Sequence, residues 1–80
     1  MPLAFVLVNV QIGSEREVLE ALRKIDGVEG AYVVYGVYDI VAKVKAESMD
    51  ELREIVTYKI RRLDKVQSTQ TMMVYEEAPP

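Results

Sequence analysis

Seven residues of this chain have a second copy further on. Leu22-Arg23-Lys24-Ile25-Asp26-Gly27-Val28 is matched by Ile60-Arg61-Arg62-Leu63-Asp64-Lys65-Val66. Each copy closes an amphipathic stretch and opens an apolar one. Each amphipathic stretch begins on its own capping box, Ser14-Glu15-Arg16-Glu17 and Ser48-Met49-Asp50-Glu51. In such a box the serine side chain takes an orphan N–H and the glutamate reaches back. Apolar residues then follow at helical spacing: Val18, Leu22 and Ile25, with Leu19 and Ala21 beside them, and later Leu52, Ile55, Val56, Ile60 and Leu63. Two copies at so long a period do not make a solenoid. They read as two strand-helix-strand halves of one domain spanning residues 1–80.

The strands fill the remaining sequence. Leu3 to Gln11 is apolar on both alternating faces over most of its length, with Ala4, Val6, Val8 and Val10 on one and Leu3, Phe5, Leu7, Asn9 and Gln11 on the other. That pattern suits a central strand covered on both sides. Val28–Tyr35 and Val37–Lys45 read as a hairpin folded at Gly36, since glycine at the first central position of a two-residue loop accepts the positive φ of a type II′ turn. A last strand is expected over Val66–Tyr75, then a polar tail, Glu76–Pro80. The order βαββαβ, with right-handed crossovers, gives an α+β, ferredoxin-like fold: a four-stranded antiparallel sheet with two helices on one face.

Composition narrows the function. The chain has no cysteine and no histidine, which removes thiolate metal sites and the commonest general base. We expect no metal and no cofactor. The net charge of −3 lacks the basic footprint of a nucleic-acid binder. No apolar run approaches the ~18 residues of a membrane span. The first ten residues lack the basic region and cleavage site of a signal peptide, so the expected location is cytoplasmic. Half of the residues are hydrophobic, and the sheet face away from the helices is apolar. A second copy packed face to face would cover it, at the scale of about 800 Å² per partner of a standard interface. A homodimer is expected.

One residue fits the scaffold poorly. Asp39 stands inside an otherwise apolar strand, where a carboxylate loses hydration and needs donors in return. It is either paired structurally, with Lys43 or with backbone donors, or it is part of a site.

Three segments in this order, Ile25-Asp26-Gly27-Val28-Glu29-Gly30-Ala31-Tyr32, Tyr35-Gly36-Val37-Tyr38-Asp39-Ile40-Val41 and Val66-Gln67-Ser68-Thr69-Gln70-Thr71, resemble the effector-binding (RAM) domain of the Lrp/AsnC transcription regulators. The resemblance covers Leu3 to Tyr75. It implies a dimeric α+β barrel type of domain that pairs through its sheets and assembles further, to octamers or decamers. It also implies a small effector, usually an amino acid, bound between dimers near the hairpin turn. Carried over, the ligand-binding residues are Tyr35, Gly36, Tyr38 and Asp39 from the turn and Ser68, Thr69 and Thr71 from the last strand. The chain departs from the family where Lys65 replaces a glycine common before the valine. It also begins at the first strand, without the regulators' helix-turn-helix, so a stand-alone module is expected, with a full-length Lrp/AsnC regulator as a candidate partner.

The chemistry is coherent without the family. An amino acid's ammonium needs a carboxylate such as Asp39. Its carboxylate needs donors, which the amides of a glycine turn and nearby hydroxyls supply. Ordinary strand propensity explains the threonines equally well, and the tyrosines also suit a core or an interface. The alternative class, a small dimeric α+β barrel enzyme of monooxygenase or isomerase type, calls for a polar pocket and often a histidine, so a non-enzyme is expected. The purified chain should give no sequence-dependent gel shift with duplex DNA at ~150 mM salt, because clustered basic residues supply most of that affinity and Lys59, Arg61, Arg62 and Lys65 form a short, interrupted cluster.

Overall fold

A computed structural model describes residues Met1–Pro80. The first half is β1 (Leu3–Val10), α1 (Glu15–Arg23) and β2 (Val28–Val33). The second is β3 (Ile40–Lys45), α2 (Met49–Glu54), a π-helical segment continuing α2 (Ile55–Ile60), and β4 (Val66–Met73). The strands pair antiparallel in the order β2-β3-β1-β4, the ferredoxin-like sheet expected from the βαββαβ pattern.

Alternation in the two central strands divides the sheet into a covered and an open face. In β1, Ala4, Val6, Val8 and Val10 are buried while Leu3, Phe5, Leu7 and Asn9 are half-buried. In β3, Ile40, Ala42 and Val44 are buried and Val41, Lys43 and Lys45 half-buried. The buried set forms one core with Val18 and Leu22 of α1 and Leu52, Ile55, Val56 and Ile60 of the second helix. Both helices therefore cover the same face. Fully burying a valine or leucine side chain is worth about 1.5–3 kcal/mol, so this face dominates stability.

The sequence repeat is a structural repeat. Val28 N–H bonds to Ile25 C=O and Val66 N–H to Leu63 C=O, closing equivalent turns. Each turn then donates its next carbonyl position to a strand end: Gly27 C=O accepts from Lys45 N–H and Lys65 C=O from Gln11 N–H, both at 2.8 Å. Both turn residues are left-handed, Gly27 at φ 99° and Lys65 at φ 77°. Glycine is required only in the first. A Cβ on Gly27 would lie 2.6 Å from Ile55 Cδ1 and 3.2 Å from Lys45 O. Lys65 bears the conformational cost without a glycine.

Four expectations change. The hairpin does not fold in two residues at Gly36: β2 ends at Val33, β3 starts at Ile40, and Val34 N–H bonds to Asp39 C=O, leaving Tyr35–Tyr38 as a four-residue loop. The cause lies in β1, whose Val8 C=O takes the Asp39 N–H at 3.0 Å and draws that residue out of the hairpin ladder. Gly36 keeps a positive φ, 145°. The last strand stops at Met73, although Val74 N–H still reaches Leu3 C=O. The first capping box does not form, because Ser14, at φ −103° and ψ 10°, makes no side-chain cap. The second does: Ser48 Oγ accepts from Glu51 N–H at 3.1 Å, and Glu51 reaches back to Glu47 N–H, one residue before the cap. Finally, the second helix widens, with Arg61 N–H bonding five residues back to Val56 C=O.

The open face carries Tyr32, Val41, Leu7 and Gln70 in one cross-strand row and Lys43, Phe5 and Met72 in the next. Lys43 lies 3.8 Å from Glu29, so its charge is answered from β2.

The unequal turns give a paired test. Lys65→Gly removes left-handed strain of about 1–2 kcal/mol against an unfolded-state entropy gain that costs about 0.4–1 kcal/mol. It should raise stability by up to about 1 kcal/mol in denaturant melts. Gly27→Ala combines strain of about 1–3 kcal/mol with the Ile55 collision and should lower it by about 2–3 kcal/mol. Equal effects of the two would show that the turns are not strained as described.

Candidate functional site

The chain leaves β2 and returns to β3 at the end of the sheet where β1 finishes. There β1 loses regular pairing on both sides: its register with β4 shifts between Asn9 and Val10, and its ladder with β3 ends at the Val8–Ile40 pair. Val10 itself is buried at 4% exposure, so its N–H must find an acceptor. Asp39 provides it, Oδ2 accepting from Val10 N–H at 2.9 Å. With its own N–H on Val8 C=O, Asp39 spans the two residues that flank Asn9. The half-buried carboxylate uses one oxygen for the scaffold. Oδ1 accepts nothing from the protein, and the three ion pairs of the chain lie elsewhere.

The loop beside it is open. Tyr35 is fully exposed, Val37 nearly so, and Tyr38 is half-buried against the sheet end. Nothing stands within 4 Å of a Cβ built on Gly36, so that position is free for another molecule's approach. The amides of Tyr35, Gly36, Val37 and Tyr38 donate no backbone hydrogen bond, Asp39 Oδ1 accepts none from the protein, and no basic side chain stands among Tyr35, Gly36, Val37, Tyr38 and Asp39.

The last strand divides the remaining candidates between the two faces. Ser68 pairs with Asn9 on the open face and accepts a hydrogen bond from Asn9 Nδ2 at 3.3 Å. Thr69 and Thr71 pair with Val8 and Val6, whose side chains are buried under the helices. Asp39 holds the residues on either side of Asn9, and Asn9 holds Ser68, whereas Thr69 and Thr71 turn away from the open face. Thr71 lines a groove against the second helix. Asn9 was not among the sequence candidates. Its signal was the single polar side chain ending the apolar run Leu3, Phe5, Leu7.

An exposed ion pair stands on α1. The Arg23 guanidinium holds the Glu20 carboxyl below its usual range, and Glu20 raises Arg23 in turn, on the solvent side of α1. What the loop end offers is an acceptor with one unused oxygen, a hydroxyl–amide pair and free backbone donors.

Comparison with known proteins agrees with this reading of the fold. Residues 3–79 match the family described as the Lrp/AsnC ligand binding domain. An uncharacterized HTH-type transcriptional regulator of Pyrococcus furiosus is 37% identical over 75 residues, covering 90% of this chain and 50% of the regulator. The chain therefore spans about half the length of that relative. The solved structure of FFRP-DM1 superposes with a TM-score of 0.89 at 42% identity, covering 92% of this chain and 99% of the other. A transcriptional regulator of Neisseria meningitidis, solved as its L-Met complex, has the same fold, with a TM-score of 0.87 at 21% identity over 99% of this chain and 54% of its own. The sequence match over nearly the whole chain, together with the βαββαβ sheet, places this protein in the Lrp/AsnC ligand-binding domain family.

Proposed function

We propose that this regulatory domain senses an amino acid at the Tyr35–Asp39 loop and answers by changing its assembly with other copies, so regulating transcription or amino-acid metabolism. The observation that carries the reading is the Asp39 carboxylate: one oxygen fixed by Val10 N–H, the other unused, at the edge of an exposed loop. An ammonium bound to Oδ1 would supply the missing counter-charge. Loop amides, the Tyr35 and Tyr38 hydroxyls and the Asn9–Ser68 pair are the groups proposed for the rest of the ligand. Thr69 and Thr71 enter this site only if a second copy presents them, because their own face points to the helices.

The loop end is exposed in a single chain, and its most exposed side chain is Tyr35. A ligand held there is half-covered until another surface closes over it. The open sheet face, with Phe5, Leu7, Val41 and Met72, supports pairing of two copies, and the loop lies at its border, where such pairs would meet. Mixed assembly with a full-length Lrp/AsnC regulator follows the same logic, since equivalent faces would match. The relatives' naming as transcriptional regulators supports a regulatory rather than an enzymatic role.

Calorimetric titration with the common amino acids, paired with light scattering, tests the reading. One of them should bind and shift the assembly mass; no binding by any would sink it. Asp39→Asn should weaken that ligand about ten- to a hundred-fold, the worth of about 1.5–3 kcal/mol for a hydrogen bond to a charged group. Its stability should fall by no more than about 1 kcal/mol, since an amide oxygen still accepts from Val10 N–H. Unchanged affinity would remove Asp39 from the site. Gly36→Val meets open space, so its cost is backbone strain alone, about 1–3 kcal/mol, with weaker ligand binding as the amides shift. Phe5→Glu, on the open face, should leave a monomer in light scattering; an unchanged mass would place the interface elsewhere.

A further inference from the structure

A groove of about 300 Å³ runs between β4 and the flank of the second helix, on the face opposite the Asp39 carboxylate's Asn9–Ser68 row. It exists because β4 is an edge strand that the helices only partly cover. The helix-facing residues of β1 are fully buried, yet Thr71 of β4 is half-buried and Met73 is 42% exposed. Met49, Leu52, Val56 and Met73 make its apolar lining, and Thr57, Thr71 and Arg61 its polar one. Arg53, also on its wall, is held by Asp50 at 3.5 Å. Arg61 takes part in none of the chain's ion pairs. No carboxylate lines the groove.

The geometry points to a second ligand site here, for a small aliphatic monocarboxylate. The free Arg61 guanidinium offers a planar donor fork that matches a carboxylate. The hydroxyls of Thr57 and Thr71 add donors, and Leu52, Val56 and Met73 take the aliphatic tail. The volume is at the lower end of the range for ligand clefts, roughly 300–1,000 Å³, which limits the tail to a few carbons. An amino acid is disfavoured because its ammonium would lie beside the like charge of Arg61 with no carboxylate in the lining to answer it. The groove and the loop thus divide the chemistry: the loop receives an ammonium, the groove an anion without one. The inference stands on the groove alone and is independent of the amino-acid reading.

The probe is 3-methylbutanoate, titrated calorimetrically into the full chain, with 3-methylbutanamide and L-leucine as controls. Saturable binding of the acid is expected, at least tenfold tighter than the amide. Arg61→Ala should weaken it about ten- to a hundred-fold, and Thr71→Val, which keeps the side-chain shape, several-fold. Asp39→Asn should leave it unchanged. Should Arg61→Ala fail to fold by circular dichroism, Thr71→Val and the amide control decide. Absence of binding, equal binding of acid and amide, or full affinity in folded Arg61→Ala and in Thr71→Val overturns the proposal. Loss of the acid in Asp39→Asn would put the probe at the loop and also overturn it.

Discussion

The structure depends on burying one face of β1. Ala4, Val6, Val8 and Val10 lie at 0–4% exposure beneath both helices, and β1 is the strand that joins the two halves through β3 and β4. Burial of its side chains obliges every one of its amides to be paired. Along most of the strand the ladders do this. At Val10 they fail together, because β4 bulges and β3 departs into the loop. The Asp39 carboxylate then takes the place of a backbone carbonyl. The buried face can extend to Val10 because a side chain completes the hydrogen bonding there.

The same requirement shapes the loop. Asp39 is held by β1 through both backbone and side chain, so the hairpin opens one pair earlier than its own strand pattern suggests. Tyr35 to Tyr38 are left without ladder partners, and positive φ at Gly36 turns them back. The exposed loop is thus a consequence of how the central strand ends. On the proposed reading it is a recognition segment set on a rigid support.

Helices, strand order and the covered face were legible in the sequence because each rests on periodicity, and Leu52, Ile55, Val56 and Ile60 pack where their spacing puts them. What failed were local motifs overruled by distant contacts. Ser14 has the right neighbours for a cap, but its N–H is tied to Gln11 C=O in a turn. That turn holds its backbone away from the extended conformation a capping serine adopts, the conformation that Ser48 does have at φ −146° and ψ 163°. Gly36 looked like a two-residue turn because nothing local reveals that Val8 captures Asp39. The split of Ser68 from Thr69 and Thr71 follows from the two-residue period of a strand. It was available in the sequence, and grouping the three as one set ignored it.

Asp39 need not be either scaffold or site. Its Oδ2 is spent on Val10, which fixes the carboxylate in place without neutralising it, since a backbone N–H contributes only a partial charge. The nearest lysine of its strand, Lys43, is engaged with Glu29. A half-buried carboxylate so placed is oriented before any ligand arrives, and orientation in advance lowers the entropic cost of binding. On the proposed reading, the ammonium completes the charge balance at Oδ1. The ligand's carboxylate then needs donors that the strand's last residues cannot all present on one face, because alternation sends Thr69 and Thr71 to the other side. A second copy could present them. Ligand affinity and assembly would then be linked by the same geometry, each raising the other by an equal free energy.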